Sequence, residues 1–277
     1  MPSRLKPLLA AAAAFLLAPA GAAQGPLPRI DGIVWQLHDA SPPAEGGWHR
    51  LGAREVLIQW TAVDGTAYVP GTGLPESANM PDWARIRREP WARRVIAGLS
   101  GRFDEDRTRR EIGQMTDESV RLARGQFPFR VSGYYFPAEV DPTWTDAPAV
   151  VPQLNRLPRP LWISVYDSSN IGAENLADWL ASWLPGDVGI FFQDGVGVWA
   201  RRAPTARHYA DVLAARLGRG RVRLIAEAFR QQADGSFRPA TPEELGPQLR
   251  AYRGHRIYLF DGPHYVSDET IDALLAQ

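Results

Sequence analysis

Eight short apolar runs, each followed by a polar or turn-forming segment and then by a stretch with helical spacing, limit what this chain can fold into. The runs are Ile33 to Leu37, Val56 to Trp60, Val95 to Leu99, Val131 to Phe136, Leu161 to Tyr166, Val188 to Phe192, Val222 to Ala226 and Ile257 to Phe260. Short continuous apolar runs bounded by turns are what a strand covered on both faces requires, because a parallel sheet between helices has no solvent side to keep polar. Several end in a polar residue: Gln59 just inside the second, Glu139 shortly beyond the fourth, then Asp167, Gln193-Asp194, Glu227 and Asp261. From Glu139 onward the acidic ends lie 28, 27, 33 and 34 residues apart, the length of a strand, a loop and a returning helix. Eight such units predict an α/β fold, a (β/α)8 TIM barrel.

Helical stretches fall where those units need them. Thr241-Pro242-Glu243-Glu244 sets a capping hydroxyl, a proline at the first helical position and a glutamate placed to reach back to the cap, ahead of Leu245 to Tyr252. Gly254 then ends that segment. Thr108 with Glu111 predicts the start of another helix. Leu176, Leu180, Trp183 and Leu184 recur at helical spacing, and Tyr209, Val212, Leu213 and Leu217 repeat the pattern one unit later. The second unit is irregular: Ala62 to Asn79 is rich in Gly and Pro and is expected to form a long loop over the rim. The cluster Arg85, Arg87, Arg88, Arg93 and Arg94 reads as a solvated helix face.

At the N-terminus, Arg4 and Lys6 precede the apolar stretch Leu8 to Leu17, and Ala20-Gly21-Ala22 offers the small residues that a signal peptidase reads. Residues 1–23 are therefore expected to be a signal peptide, and 24–277 one barrel domain of a periplasmic or secreted bacterial protein. The apolar stretch is shorter than the ~20 residues of a spanning helix, so no stable membrane insertion is expected after cleavage. With no Cys in the chain, disulfides, thiolate metal sites and Cys nucleophiles are excluded. None of the five His residues shows the i, i+4 spacing of a helical zinc site, so neither metal nor cofactor is expected. The 31 basic and 31 acidic residues cancel, which predicts no electrostatic footprint for nucleic acid or an anionic membrane.

In a TIM barrel the C-terminal strand ends converge on one rim, where active sites lie. Two carboxylates there, Glu139 and Glu227, suggest glycosidic cleavage. That chemistry needs one carboxylic acid to protonate the leaving oxygen and a second carboxylate to act as nucleophile or to activate water. Their places after the fourth and on the seventh strand resemble those in a large clan of retaining glycosidases. The resemblance implies Glu139 as acid/base and Glu227 as nucleophile, standing ~5–5.5 Å apart with Glu139 in the less polar surroundings. The clan carries Asn immediately before the acid/base, whereas this chain has Ala138. Asp194 is the alternative catalytic partner, although preceding Gly195 it also fits an Asx-type turn. Glu139 lies in a Pro-Ala-Glu-Val-Asp-Pro segment that reads as a turn beyond the strand.

Three longer segments, Val56-Leu57-Ile58-Gln59-Trp60-Thr61, Tyr134-Tyr135-Phe136-Pro137-Ala138-Glu139-Val140-Asp141 and Phe192-Gln193-Asp194-Gly195-Val196-Gly197, look like the signature segments of the DUF4434 family, a group of bacterial barrels assigned to glycoside hydrolysis. Ala226-Glu227-Ala228-Phe229 resembles a further one. The resemblance covers most of the chain beyond the leader and implies a site lined by Gln59, Glu139, Asp194 and Glu227.

Aromatic supply agrees with a sugar ligand, because a pyranose presents an apolar C–H face to flat rings. Of the ten Trp residues, Trp35, Trp60, Trp144 and Trp199, with Tyr68 and Tyr135, fall where rim loops are expected, while Trp91, Trp179 and Trp183 read as helix packing. The candidate substrate contacts are Gln59, Trp60, Trp35, Tyr135, Trp144, Asp167 and Asp261. Asp167 leads into Ser168-Ser169-Asn170, a turn-and-cap sequence, and Asp261 precedes Gly262-Pro263-His264 and suits either a sugar hydroxyl or the last turn. His38 and Asp39 follow the first strand. Gly71-Thr72-Gly73 and Gly195-Val196-Gly197 lack the dinucleotide fingerprint, and Leu99-Ser100-Gly101 is half of a nucleophile elbow. The chain is thus expected to be an exported glycoside hydrolase acting on a polysaccharide. A barrel that binds glycan without cleaving it, inside a polysaccharide synthesis or export system, is the alternative.

Overall fold

The computed structural model describes residues 25–277, and the expected signal peptide, residues 1–23, lies outside them. Eight parallel strands close into a barrel: β1 Gly32–Trp35, β2 Glu55–Ile58, β3 Arg94–Gly98, β4 Val131–Val140, β5 Leu161–Val165, β6 Val188–Gln193, β7 Val222–Glu227 and β8 Ile257–Phe260. Each pairs with its neighbours in sequence, and β8 meets β1 through Gly32↔Tyr258 and Ile33↔Leu259. The longer returning helices are α1 Glu105–Arg110, α2 Ile112–Arg124, α3 Ala173–Trp183, α4 Ala203–Leu217, α5 Pro242–Ala251 and α6 Asp268–Leu275. The predicted TIM barrel is the fold.

Alternate strand residues serve two cores. Ile33, Val56, Val95, Phe136, Ile163, Ile190, Leu224 and Ile257 pack outward beneath the helices. Val34, Leu57, Ile96, Tyr135, Phe191, Ile225 and Tyr258 point inward and fill the barrel. Each such side chain contributes about 1.5–3 kcal/mol on burial, and burial on both faces is why the strands appear in the sequence as unbroken apolar runs.

Below that layer, toward the N-terminal ends of the strands, the interior turns polar. Glu55 is 3% exposed; it accepts from the Tyr258 hydroxyl at 2.6 Å and pairs with Arg94 and Arg256. Arg223 lies 4.0 Å over the Trp162 ring. The indole fits because its neighbours lack side chains: a Cβ on Gly133 would stand 2.4 Å from its ring, and one on Gly189 2.3 Å from its nitrogen.

Four details differ from the sequence reading. β4 runs on to Val140: Phe136 pairs with Ile163 but Glu139 pairs with Ser164, so Pro137 and Ala138 are an insertion in the ladder. Proline has no N–H to give a ladder, and two extra residues preserve the inward parity of Tyr135 for Glu139. The cap of α1 is Asp104, which accepts from the Arg107 N–H, while Thr108 lies inside that helix. Asp104 precedes acidic first-turn residues and outcompetes a hydroxyl further on. The arginine cluster is not one helix face, since only Trp83–Ile86 is helical and Arg94 opens β3. Finally, Ala62 to Asn79 contributes two short strands, Ala62–Val63 and Thr66–Ala67, which join Ser100–Gly101 in a small sheet.

Gly189→Ala should lower stability by about 1–3 kcal/mol in urea unfolding, because the indole is hemmed in on both sides. Pairing it with Trp162→Leu should recover part of that loss, a non-additivity expected of residues in contact.

Candidate active site

Closure of the barrel brings Gln59, Glu139, Asp167, Asp194, Glu227 and Asp261 to the C-terminal end, since all the strands are parallel. Parity then separates them. Inward alternation continues from Tyr135 to Glu139, from Phe191 to Gln193 and from Ile225 to Glu227, whereas Asp194, one residue later, faces the helices.

Glu139 lines two cavities. One, of about 210 Å³, also has Gln36, Gln59, Trp60, Phe103 and Tyr135 on its walls. The other, of about 300 Å³, is lined by Glu105, Arg109, Asp141, Thr143, Tyr166 and Ser168. The Gln193 amide donates to Glu139 and, at 2.9 Å, to the Ser164 hydroxyl. Burial pushes the Glu139 carboxyl up to about 7, with the Gln193 bond opposing the rise. Asp141, two residues on, accepts from the Thr143 N–H and hydroxyl and from the Ser168 N–H. These donors together hold it below the usual carboxylate range, although its burial opposes them.

Glu227 is 4% exposed and accepts from the Gly197 N–H at 2.6 Å. Gly197 cannot carry a side chain here, for a Cβ would stand 2.7 Å from the Phe229 ring and 2.9 Å from the Glu227 carboxylate. Burial raises the Glu227 carboxyl, and the adjacent Asp194 raises it further. The Tyr166 hydroxyl is pushed up to about 12, by burial first and then by the charge of Glu227, with Glu139 adding to the rise and Arg201 opposing it.

Asp194 is wholly buried. One of its oxygens accepts from the N–H groups of Val196 and Glu227 at 3.1 and 3.3 Å. The other accepts from the Gln248 amide at 2.6 Å and the Tyr252 hydroxyl at 2.7 Å. Those four donors leave it no lone pair for a substrate, so it ties β6 and β7 to α5 and acts on Glu227 through charge. Asp167 is a structural residue as well: it accepts from the Tyr209 hydroxyl and the Ile171 N–H. Asp261 accepts from the Gln36 N–H at 3.0 Å and from His264 at 2.7 Å, which anchors β8 to β1.

The aromatic candidates divide the same way. Trp60 and Tyr135 line the Glu139 cavity with Gln59, and the Trp60 ring meets exposed Phe103 edge-on at 5.1 Å. Trp35 is 2% exposed and packs on Trp83 in the outer core, on the side away from the carboxylates. Trp144 stands at the periphery under Arg109, at 5.5 Å. Trp199 is 60% exposed on the β6 loop, and Tyr68 is buried against Asp39.

Ser164, Tyr166 and Arg201 were not singled out from the sequence, and Gln193 was named only as a polar strand end beside Asp194. Period-two counting from Phe191 selects Gln193 over Asp194. Arg201, held over Tyr166 and Tyr209 at 5.3 and 5.0 Å, carries no such signal. A larger cavity, about 670 Å³, lies elsewhere on the rim among Trp35, His38, Asp39, Asn79 and Arg85; the clefts beside Glu139 have the stronger claim because that raised carboxyl lines both of them. Among the described residues no cluster of three or more His, Cys, Asp or Glu suits a metal ion.

No known family profile matches the chain, and no curated protein matches it. Among solved structures it is similar to a proposed alpha-L-fucosidase of Bacteroides thetaiotaomicron, with 15% identity and a TM-score of 0.56 over 91% of this chain and 94% of that one. It is also similar to a chitinase of Chromobacterium violaceum, with 11% identity and a TM-score of 0.45 over 89% of this chain and 99% of that one. At these identities the first likeness speaks for the barrel alone.

The raised carboxyls have a consequence for stability. A carboxyl lifted from 4.5 to about 7 in the folded state stabilises the fold below its unfolded value, and that contribution is lost as pH rises through the folded one. Glu139→Gln should therefore be more stable than wild type at about pH 8, by on the order of 1–3 kcal/mol. At about pH 4 the two should melt together in calorimetry.

Proposed function

We propose that this protein is an exported glycoside hydrolase of a polysaccharide, related to the DUF4434 family, with Glu139 and Glu227 as its catalytic pair. The observation that carries the reading is that two carboxyls at the C-terminal end of a closed barrel, Glu227 buried and Glu139 half-buried, are both raised by their surroundings. Similarity to a proposed fucosidase supports it at the level of fold. Gln59, Trp60 and Tyr135 on the wall of the Glu139 cleft serve as substrate contacts.

The electrostatics of the free protein order the two roles. Asp194, with four donors, is the better holder of the single negative charge that it and Glu227 can share. Glu227 therefore keeps its proton and is the proton donor, which leaves Glu139 as the group that attacks the anomeric carbon or activates water. Strand position implies the reverse roles, so the pair is assigned here by environment. A pKa near the working pH is what a general acid or base needs.

Purified protein should release reducing ends from at least one member of a bacterial polysaccharide panel. Glu139→Gln and Glu227→Gln should each lower kcat roughly 10²–10⁴-fold while leaving binding in place. For a retaining enzyme, azide added to the alanine variants assigns the roles: loss of the nucleophile yields a glycosyl azide of inverted configuration, and loss of the acid/base yields the retained one. The close cover of Gly197 over Glu227 favours one other reading, a glycan-binding barrel without turnover. Binding without any new reducing ends across the panel would establish it.

A further inference from the structure

The residues that open the strands share a property that the fold gathers onto one face. Arg29, Arg54, Arg93, Arg130, Arg159, Arg221 and Arg256 each stand within three residues ahead of a strand and serve seven of the eight strands; β6, preceded by Asp187, is the exception. Because the strands are parallel, these arginines ring the N-terminal end of the barrel, opposite Glu139 and Glu227. Arg94, Arg219 and Arg253 extend the ring.

Few carboxylates answer them. Asp31 and Glu55 are engaged by Arg256, Glu55 also by Arg94, and Asp187 by Arg159. Arg29, Arg54, Arg219, Arg221 and Arg253 direct hydrogen bonds to backbone carbonyls, which orients a guanidinium without neutralising it. Helix C-termini also favour cations at this end, but Arg93 and Arg130 are exposed and have no ion-pair partner among the described residues. Zero net charge thus conceals a local excess of cations at this end of the barrel. The sequence expectation of no footprint for an anionic membrane rested on the summed charge, not on its distribution.

We propose that the arginine-ringed face docks on an anionic phospholipid surface and turns the carboxylate rim away from the bilayer. A ring of cations around the end of a barrel is complementary to a plane of phosphate headgroups, and each arginine near such a surface strengthens binding about fivefold. The chain also begins its path through the barrel at this face: the carbonyls of Gly25 and Pro26 accept from Arg250 and Arg253. A single-stranded polyanion would call for aromatic platforms among the cations, yet the exposed aromatics Phe103, Trp199 and Phe237 all sit on loops that follow strands, at the opposite rim.

Co-sedimentation of the full-length chain with vesicles tests the proposal. Phosphatidylcholine vesicles containing phosphatidylglycerol should bind it more tightly than phosphatidylcholine alone, with the difference lost at high salt. Arg93→Glu, Arg130→Glu and Arg219→Glu together should remove that difference, a loss of roughly a hundredfold, with unfolding temperature unchanged. The corresponding lysine variants should keep it, because only point charge is needed. Equal binding to both vesicle types would overturn the proposal. Persistence of the difference in the glutamate variant, or tighter binding to soluble alginate than to the anionic vesicles, would overturn it equally.

Discussion

Closure of the sheet governs everything else in this molecule. Once eight parallel strands meet edge to edge, each strand residue faces either the barrel axis or the helices, and a one-residue step exchanges the two environments. Gln193 and Asp194 show how sharp the division is. The amide faces the axis and holds Glu139, while the neighbouring carboxylate faces α5 and is saturated by Gln248 and Tyr252. Chemically the aspartate looks the better catalyst, and geometry gives it a supporting part.

The same closure makes the mouth of the barrel a poor place for charge. Burial there withdraws the carboxyls from much of the solvent, so Glu139 and Glu227 bind protons more tightly than a surface carboxylate would. This costs the fold stability near neutral pH and gives the site groups able to exchange protons. Pro137 and Ala138 add to the arrangement: by lengthening β4 by two residues they lift Glu139 to the mouth without turning it outward.

At the other end of the barrel, charge is arranged differently. Glu55 gathers Arg94, Arg256 and the Tyr258 hydroxyl around one buried carboxylate, as a charge withdrawn from water requires. The arginines outside that cluster remain in contact with solvent. An excess of cations at one end of the barrel gives the molecule a preferred orientation toward an anionic surface.

The apolar runs, their turn-bounded lengths and the 27 to 34 residue spacing of the acidic ends were sufficient to establish eight βα units, because double burial writes itself into the sequence as continuous hydrophobicity. The capping box at Thr241 was equally plain, being a local interaction. Glu227 could be chosen because it ends an unbroken strand. What the sequence left open depended on partners far away along the chain: that Asp194 is filled by residues 54 and 58 positions later, that Trp35 packs on Trp83 and lines a different rim cavity from Glu139, and that Asp261 anchors Gln36 across the closing seam. The arginines show the contrast most directly. Composition gave their number and a net charge of zero, but only parallel closure, which brings the starts of all eight strands to one end, decided that they share a face.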